Sequence, residues 1–300
     1  MNMKQLKYVL VLADLGSFSR AAESLGISQP SLSQYIRKIE QQIGAELFDR
    51  SGNSLQLTDA GNAYIKIGRS ILDLEHQLDR ELADLAAFRA GTISIGISAH
   101  RSVSLMPEIV KEFRKIYPGI VLCIEEHKRN NIVERAQRGE FDLCITTLPV
   151  DKNEFYCETV MSDENVIIVP DFISLPCRQI SNRKFPAIQI SSLSGMEFAL
   201  LNEDHPMQQA FSSLCNRYKL CIKKTVECTS LNALFEMVKA GIGAAFVPSC
   251  IAKPQPGVKV FSIEENTERR EIVLIWRKNI YQSRAVLDFI ALIKDILSKY

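Results

Sequence analysis

Residues 17–50, SFSRAAESLGISQPSLSQYIRKIEQQIGAELFDR, join two short helical patterns through a glycine turn. Ser17 suits an N-cap, because its hydroxyl accepts from an unpaired N–H of the first turn, and Ala21, Ala22 and Leu25 then repeat at helical spacing. Gly26 ends that helix. Ser28 caps a second one with Pro30 in its first turn, where the missing N–H costs nothing, and Leu32, Ile36, Ile39 and Ile43 form its apolar stripe. The other face carries Gln29, Ser31, Ser33, Gln34 and Arg37, mostly short side chains that donate and accept, as a helix lying in a DNA major groove requires. The pair reads as a helix-turn-helix, although the pattern alone also allows a helical hairpin whose polar face meets water.

Charge does not separate these readings. Residues 1–60 hold six basic and six acidic side chains, so the usual basic footprint is absent and any asymmetry is local. The whole chain of 300 residues has a formal net charge of +1, which excludes only a uniformly polybasic coat for nucleic acid or membrane. That length implies two or three compact units.

The run AAESLGISQPSLSQYIRKIEQQIGAELFDR, followed by LTDAG, closely resembles the N-terminal signature of LysR-type transcriptional regulators; the likeness is strong to about residue 90 and weaker, but in the same order, beyond it. The resemblance implies a winged helix-turn-helix in residues 1–60, with Ser28, Gln29, Pro30, Ser31, Ser33, Gln34 and Arg37 facing double-stranded DNA and Arg50 at the wing. It further implies a linker and dimerisation helix over 61–90, a two-lobed α/β effector domain over 91–300, a homo-oligomer built as a dimer of dimers, a small-molecule effector and RNA polymerase as a partner.

Ahead of the signature, Leu6, Val9, Leu10, Ala13 and Phe18 mark an amphipathic scaffold helix. After it, Leu47 and Phe48, a Ser-Gly-Asn turn, and Leu55 and Leu57 in period two predict a small two-stranded wing, where Arg50 and Asn53 are candidates for phosphate or the minor groove and a solvated hairpin tip is the plain alternative. Thr58 caps a long helix with Asp59 near the positive end of its dipole. Ile67, Ile71, Leu74, Leu78, Leu82 and Leu85 then form a seam too long for the small N-terminal core to cover, and we read it as a dimer contact.

The helix breaks at Arg89-Ala90-Gly91, and strands then alternate with helices. The reading places strand 92–97, helix 104–117, strand 120–125, helix 132–138 and strand 142–146 in a parallel first lobe. Strands 165–169, 197–201, 224–227 and 244–247 with helices 207–218 and 231–240 make the second, and strand 271–276 and helix 284–297 return to the first. The lobe boundaries fall at about 91–160 with 267–300, and about 161–266. Residues 170–186 show no clear period. Two lobes with crossing strands resemble the family's effector domains and, more distantly, periplasmic binding proteins.

Ligands of such sheets collect beyond the carboxyl ends of strands. That position, with the resemblance, selects Ser98, Ser102, Asn130, Thr147, Asn202 and Thr229 as effector candidates; for each hydroxyl a cap or turn role is the alternative. Thr146 and Ser230 stand beside two of them, and His100 and Arg101 would favour an anion if they point inward rather than into solvent. Catalysis lacks support: there is no G-x-S-x-G, P-loop or H-E-x-x-H, and Gly241-Ile-Gly243 lacks the third glycine of a dinucleotide fingerprint. No cofactor, metal or catalytic residue is expected.

The alternative to a regulator is a solute-binding or small-molecule enzyme domain with an incidental helical N-terminus. The N-terminal sixteen residues lack a cleavage site for export, no run spans a membrane, and the cytoplasm is the expected compartment. Eight irregularly spaced cysteines fit neither a disulfide framework nor a zinc knuckle. Some family members sense peroxide through a cysteine that follows a histidine in the second lobe; here Pro206 follows His205, so Cys215 is expected to be a small hydrophobe rather than a resolving thiol.

Overall fold

The computed structural model describes residues 2–50, 55–85, 90–181, 183–252, 255–266, 268–278 and 280–298. The Ser51–Asn53 turn, the break at Arg89 and the Leu85 side chain lie outside the described residues. The chain divides into two compact units, Met1–Phe88 with Asn279–Ser283, and Arg89–Lys278 with Arg284–Tyr300.

The first unit contains α1 (Met3–Leu15), α2 (Phe18–Ser24), α3 (Gln29–Ile43), a two-residue antiparallel wing of β1 (Phe48–Asp49) and β2 (Gln56–Leu57), and α4 (Asp59–Leu85). The caps form as the residues dictate: the Ser17 hydroxyl accepts from Arg20 N and the Ser28 hydroxyl from Ser31 N, while Gly16 and Gly44 end α1 and α3 in the left-handed region. Leu6, Val9, Leu12, Leu32, Ile36, Leu47 and Phe48 form the core, each contributing about 1.5–3 kcal/mol by burial. α4 lies so close to the wing and α1 that a Cβ on Gly61 would stand 2.1 Å from the Leu47 carbonyl oxygen, and one on Gly68 2.5 Å from Leu6 Cδ1.

Two stripe residues depart from the sequence reading. Ile43 is 45% exposed, because α3 ends there and Glu40 fills the last core-facing turn. Ile71 packs partly against the unit's own core, so the uncovered seam on α4 consists of Ile67, Leu74, Leu78 and Leu82.

The second unit runs β3 (Ala90–Ile97), α5 (Ala99–Ile116), β4 (Gly119–Glu126), α6 (Arg129–Gln137), β5 (Leu143–Thr147), β6 (Phe155–Pro170), β7 (Ala187–Ile188), a 3₁₀ turn (Ile190–Leu193), β8 (Glu197–Leu201), α7 (Pro206–Tyr218), β9 (Lys223–Cys228), α8 (Leu231–Lys239), β10 (Ala245–Pro248), β11 (Val258–Ile263), β12 (Arg269–Arg277) and α9 (Arg284–Leu297). β3 pairs in parallel with β4 and β5, but β12 is antiparallel to β5 and β6, so the sheet is mixed rather than parallel. α5 and α9 cover it through Phe113, Ile109, Phe289 and Ile293.

β6 is longer than the 165–169 strand read from sequence. Its first part, to Glu164, pairs with β12, and its remainder pairs with β10 and β11, so one strand serves both lobes and the changeover falls at Asp163–Asn165. α5 begins five residues before the expected Ser104. Pro107 therefore sits in its interior, and the burial of Leu105, Met106, Ile109 and Phe113 overrides the lost backbone bond.

Strand direction places the site. In the first lobe β5 ends beside the start of β12, with Thr147 opposite Ile272, so β3 and β5 point their carboxyl ends at the crossing. In the second, β10 ends at Pro248 opposite Asn165, and β8 runs parallel to it through a bridge from Phe198 to Ala244. The carboxyl ends of both lobes thus face the same crossing.

Candidate functional site

On the first unit the exposed face of α3 presents Gln29, Pro30, Gln34 and Arg37 next to the cap residue Ser28, with Ser31 and Ser33 half-buried. The Ser28 and Ser31 hydroxyls are 2.8 Å apart, so Ser31 is partly committed to the cap. Tyr35, which the sequence reading passes over, is also exposed and meets Tyr8 edge-on with ring centroids 5.3 Å apart.

Arg50 is also engaged within the unit. Its Nη2 donates to Glu40 Oε2 at 2.6 Å and its guanidinium lies 5.3 Å from the Phe18 ring centre. The other Glu40 oxygen accepts from the backbone N–H of Leu47 and Phe48 at 3.0 and 3.3 Å. Arg50 therefore ties the wing to α3 through one nitrogen of a guanidinium that stays about a third exposed. Asn53, the other wing candidate, lies outside the described residues.

At the crossing of the lobes, Ser98 is the N-cap of α5, but its hydroxyl caps nothing and instead accepts from Arg101 Nη1 at 3.2 Å. His100 and Arg101 are not a solvated loop pair: both sit in the first turn of α5, and Arg101 is only 6% exposed. Asp163 of β6 is 1% exposed, and its Oδ1 accepts from Ser249 Oγ at 2.5 Å and Cys250 N at 3.1 Å. Arg270 stands opposite Asp163 in the β12–β6 register. Thr146 of β5 is also 1% exposed.

Among the described residues, His100 Nε2, Arg101 Nε, Thr146 Oγ1 and Asp163 Oδ2 are buried and make no hydrogen bond. His100, Arg101 and Asp163 act on one another electrostatically. Burial, then the charges of Arg101, His205 and Arg270, push the His100 imidazole down to about 3. Burial, then Arg270 and Lys128, lower His205, whose Nδ1 caps α7 by accepting from Met207 N at 3.1 Å. The Cys250 thiol, raised first by burial and then by Asp163, is held protonated and is no nucleophile.

The hydroxyl and amide candidates divide. Ser98 is bonded into this cluster; in β5, Thr147 stands opposite Ile272, which packs under α5, and Thr146 opposite Val273, which packs under α6. Thr147 is half-buried, with its carbonyl accepting from Arg129 Nε at 3.1 Å. Ser102 is half-buried on α5, and Asn202 forms a turn in which its carbonyl accepts from His205 N. Asn130 is exposed, its Oδ1 accepting from Arg129 Nη1, and Thr229 is exposed just before the Ser230 cap of α8. Among the described residues, no hydrogen bond ties the Asn130 or Thr229 side chain to the cluster. Strand alternation would have favoured one threonine of β5 over its neighbour, but only the pairing fixes which face is which.

Elsewhere, Cys215 is half-buried against the second-lobe core, and burial pushes its thiol up to about 11. Among the described residues no group of acidic, cysteine and histidine side chains could hold a metal, and no helix is long and apolar enough to cross a membrane.

Residues 3–62 match the model of the bacterial regulatory helix-turn-helix protein, lysR family, and residues 86–298 that of the LysR substrate binding domain. Among curated proteins, a probable RuBisCO transcriptional regulator of Cyanidium caldarium is 30% identical over 95% of this chain and 90% of its own length. A regulator of Bacillus subtilis, YcgK, is 26% identical over 100% and 96%. Among solved structures, a full-length single-site variant of OxyR from Pseudomonas aeruginosa superposes with a TM-score of 0.65 at 23% identity, covering 99% of this chain and 94% of that one. CbnR, a LysR family transcriptional regulator, gives 0.60 at 19% identity over 98% and 99%.

Proposed function

The chain belongs to the LysR family of transcriptional regulators, which joins a DNA-binding helix-turn-helix to an effector-binding domain and is not an enzyme, and from that premise we propose how its residues divide the work. Ser28, Gln29, Pro30, Ser33, Gln34 and Arg37 enter the major groove of operator DNA, with Ser31 holding the start of α3 in place. The observation that carries this is the two-sidedness of α3: Leu32, Ile36 and Ile39 are buried while Gln29, Gln34 and Arg37 are exposed.

The α4 seam of Ile67, Leu74, Leu78 and Leu82 supports a dimer, and two dimers joined through their effector domains make the tetramer that we infer. The small-molecule effector occupies the crossing between the lobes. Ser98 belongs to that site, with Ser102, Thr147 and Asn202 as further candidates and Asn130 and Thr229 outermost. RNA polymerase is the partner that reads the outcome.

Footprinting on DNA upstream of its own gene tests the reading. Gln29→Ala is expected to cost about 1–3 kcal/mol on the protected sequence and little on random DNA; equal losses on both would remove Gln29 from base readout. Leu74→Glu with Leu78→Glu is expected to give a smaller species in sedimentation, and an unchanged mass would move the dimer contact elsewhere.

A further inference from the structure

We propose that the crossing between the lobes takes a small hydroxylated organic anion, its carboxylate or phosphate head held by Arg101 and Arg270 and its hydroxyl by Asp163. This rests on the effector reading above and names the chemistry that the site selects.

Arg101 and Arg270 bring two guanidinium groups into a largely buried region whose facing carboxylate is Asp163, with Glu268 reaching only Arg270, from an exposed position. The other groups around them, His100, His205, Lys128 and Cys250, add no negative charge. A desolvated cation without a full complement of partners is costly, so an anion is the ligand that the cluster stabilises most.

A guanidinium only donates and a carboxylate only accepts. Arg101 Nε therefore needs an acceptor and Asp163 Oδ2 needs a donor. The two charged groups do not satisfy each other, because Ser98 Oγ holds Arg101 and the Ser249 hydroxyl with the Cys250 N–H holds Asp163. A simple anion would meet the arginine and repel the aspartate; a neutral polyol would meet the aspartate and leave the charge. A hydroxylated anion meets both.

The adjacent residue shows that this arrangement is particular to the site. Glu164 pairs directly with Arg183 at 2.6 Å, its second oxygen accepts from Ser262 Oγ at 2.9 Å, and Arg183 also donates to the Asn266 carbonyl at 2.6 Å. One residue apart on β6, one carboxylate is spent within the fold and the other keeps an oxygen unspent.

The test uses full-length protein in thermal-shift and calorimetric titrations with L-malate, succinate, glycerol 3-phosphate and glycerol. Malate or glycerol 3-phosphate is expected to bind at millimolar concentration or better, with succinate at least about tenfold weaker than malate and glycerol silent. Arg101→Gln and Arg270→Gln should each weaken binding about tenfold or more. An unchanged far-ultraviolet circular dichroism spectrum of both variants guards against a folding defect. The proposal is overturned if neither hydroxylated anion binds, if binding survives both arginine variants, or if succinate equals malate. The regulator reading fails separately, by loss of the upstream footprint of ligand-free protein.

Discussion

Glu40 below the recognition helix and Asp163 at the crossing of the lobes are both carboxylates almost wholly removed from water. Glu40 spends both oxygens, on two wing N–H groups and on Arg50, and so joins α3 to the wing as one rigid piece. Asp163 spends one oxygen and leaves the other buried and unpartnered beside Arg101, which also keeps an unused donor. A DNA-reading surface has its buried polar groups satisfied in advance, so that geometry is preset, whereas a ligand-responsive crossing holds some in reserve.

The comparison breaks most visibly where a fully satisfied pair loses one member. Arg183→Met, which strands Glu164, is expected to cost about 3–5 kcal/mol in urea unfolding of the second unit; a loss under 1 kcal/mol would show that the pair is not structural. Glu40→Ala should cost about 2–3 kcal/mol, because two backbone donors and Arg50 lose their acceptor together, and operator binding should fall with it.

Next comes pH. Burial and the neighbouring cations keep His100 neutral in the fold down to about pH 3, while the unfolded chain takes up a proton below about 6.5. Stability is therefore complete above pH 6.5 and falls with decreasing pH towards 3, by ~1.4 kcal/mol per unit, or about 2 kcal/mol between pH 6.5 and 5. His100→Asn should remove that share of the slope, measured by melts at stepped pH; an unchanged slope would place the imidazole in solvent.

Arg50→Ala is expected to cost about 1 kcal/mol of stability, its side chain being a third exposed, while leaving the salt dependence of DNA binding unaltered. A drop of about one unit in that slope would place Arg50 at the phosphate backbone.

Caps, turns and helical period are local, so α2, the Gly26 turn, α3 and its polar face follow from Ser17, Ser28, Pro30 and the 32–36–39 spacing by themselves. The sequence likewise determined the alternation of strands and helices after residue 91 and, through its resemblance, the family. Long-range pairing decided the rest. β6 reads as a fraction of its length in the sequence because Ser162-Asp163-Glu164-Asn165 interrupts the apolar run at the crossing, where the strand changes lobes. β11 is passed over in the sequence reading although Val258-Lys259-Val260-Phe261 after Gly257 carries a strand pattern, and its pairing with β6 and β7 brings it out. Pro107 misplaces the start of α5, since local cost argues for a first turn and core burial outweighs it. Ile43 and Ile71 show that periodicity marks a face without saying how far the core beneath it extends. The cluster of Arg101, Asp163 and Arg270 spans more than a hundred residues, and whether a buried polar group is satisfied is a property of its neighbours in space, which only the tertiary structure supplies.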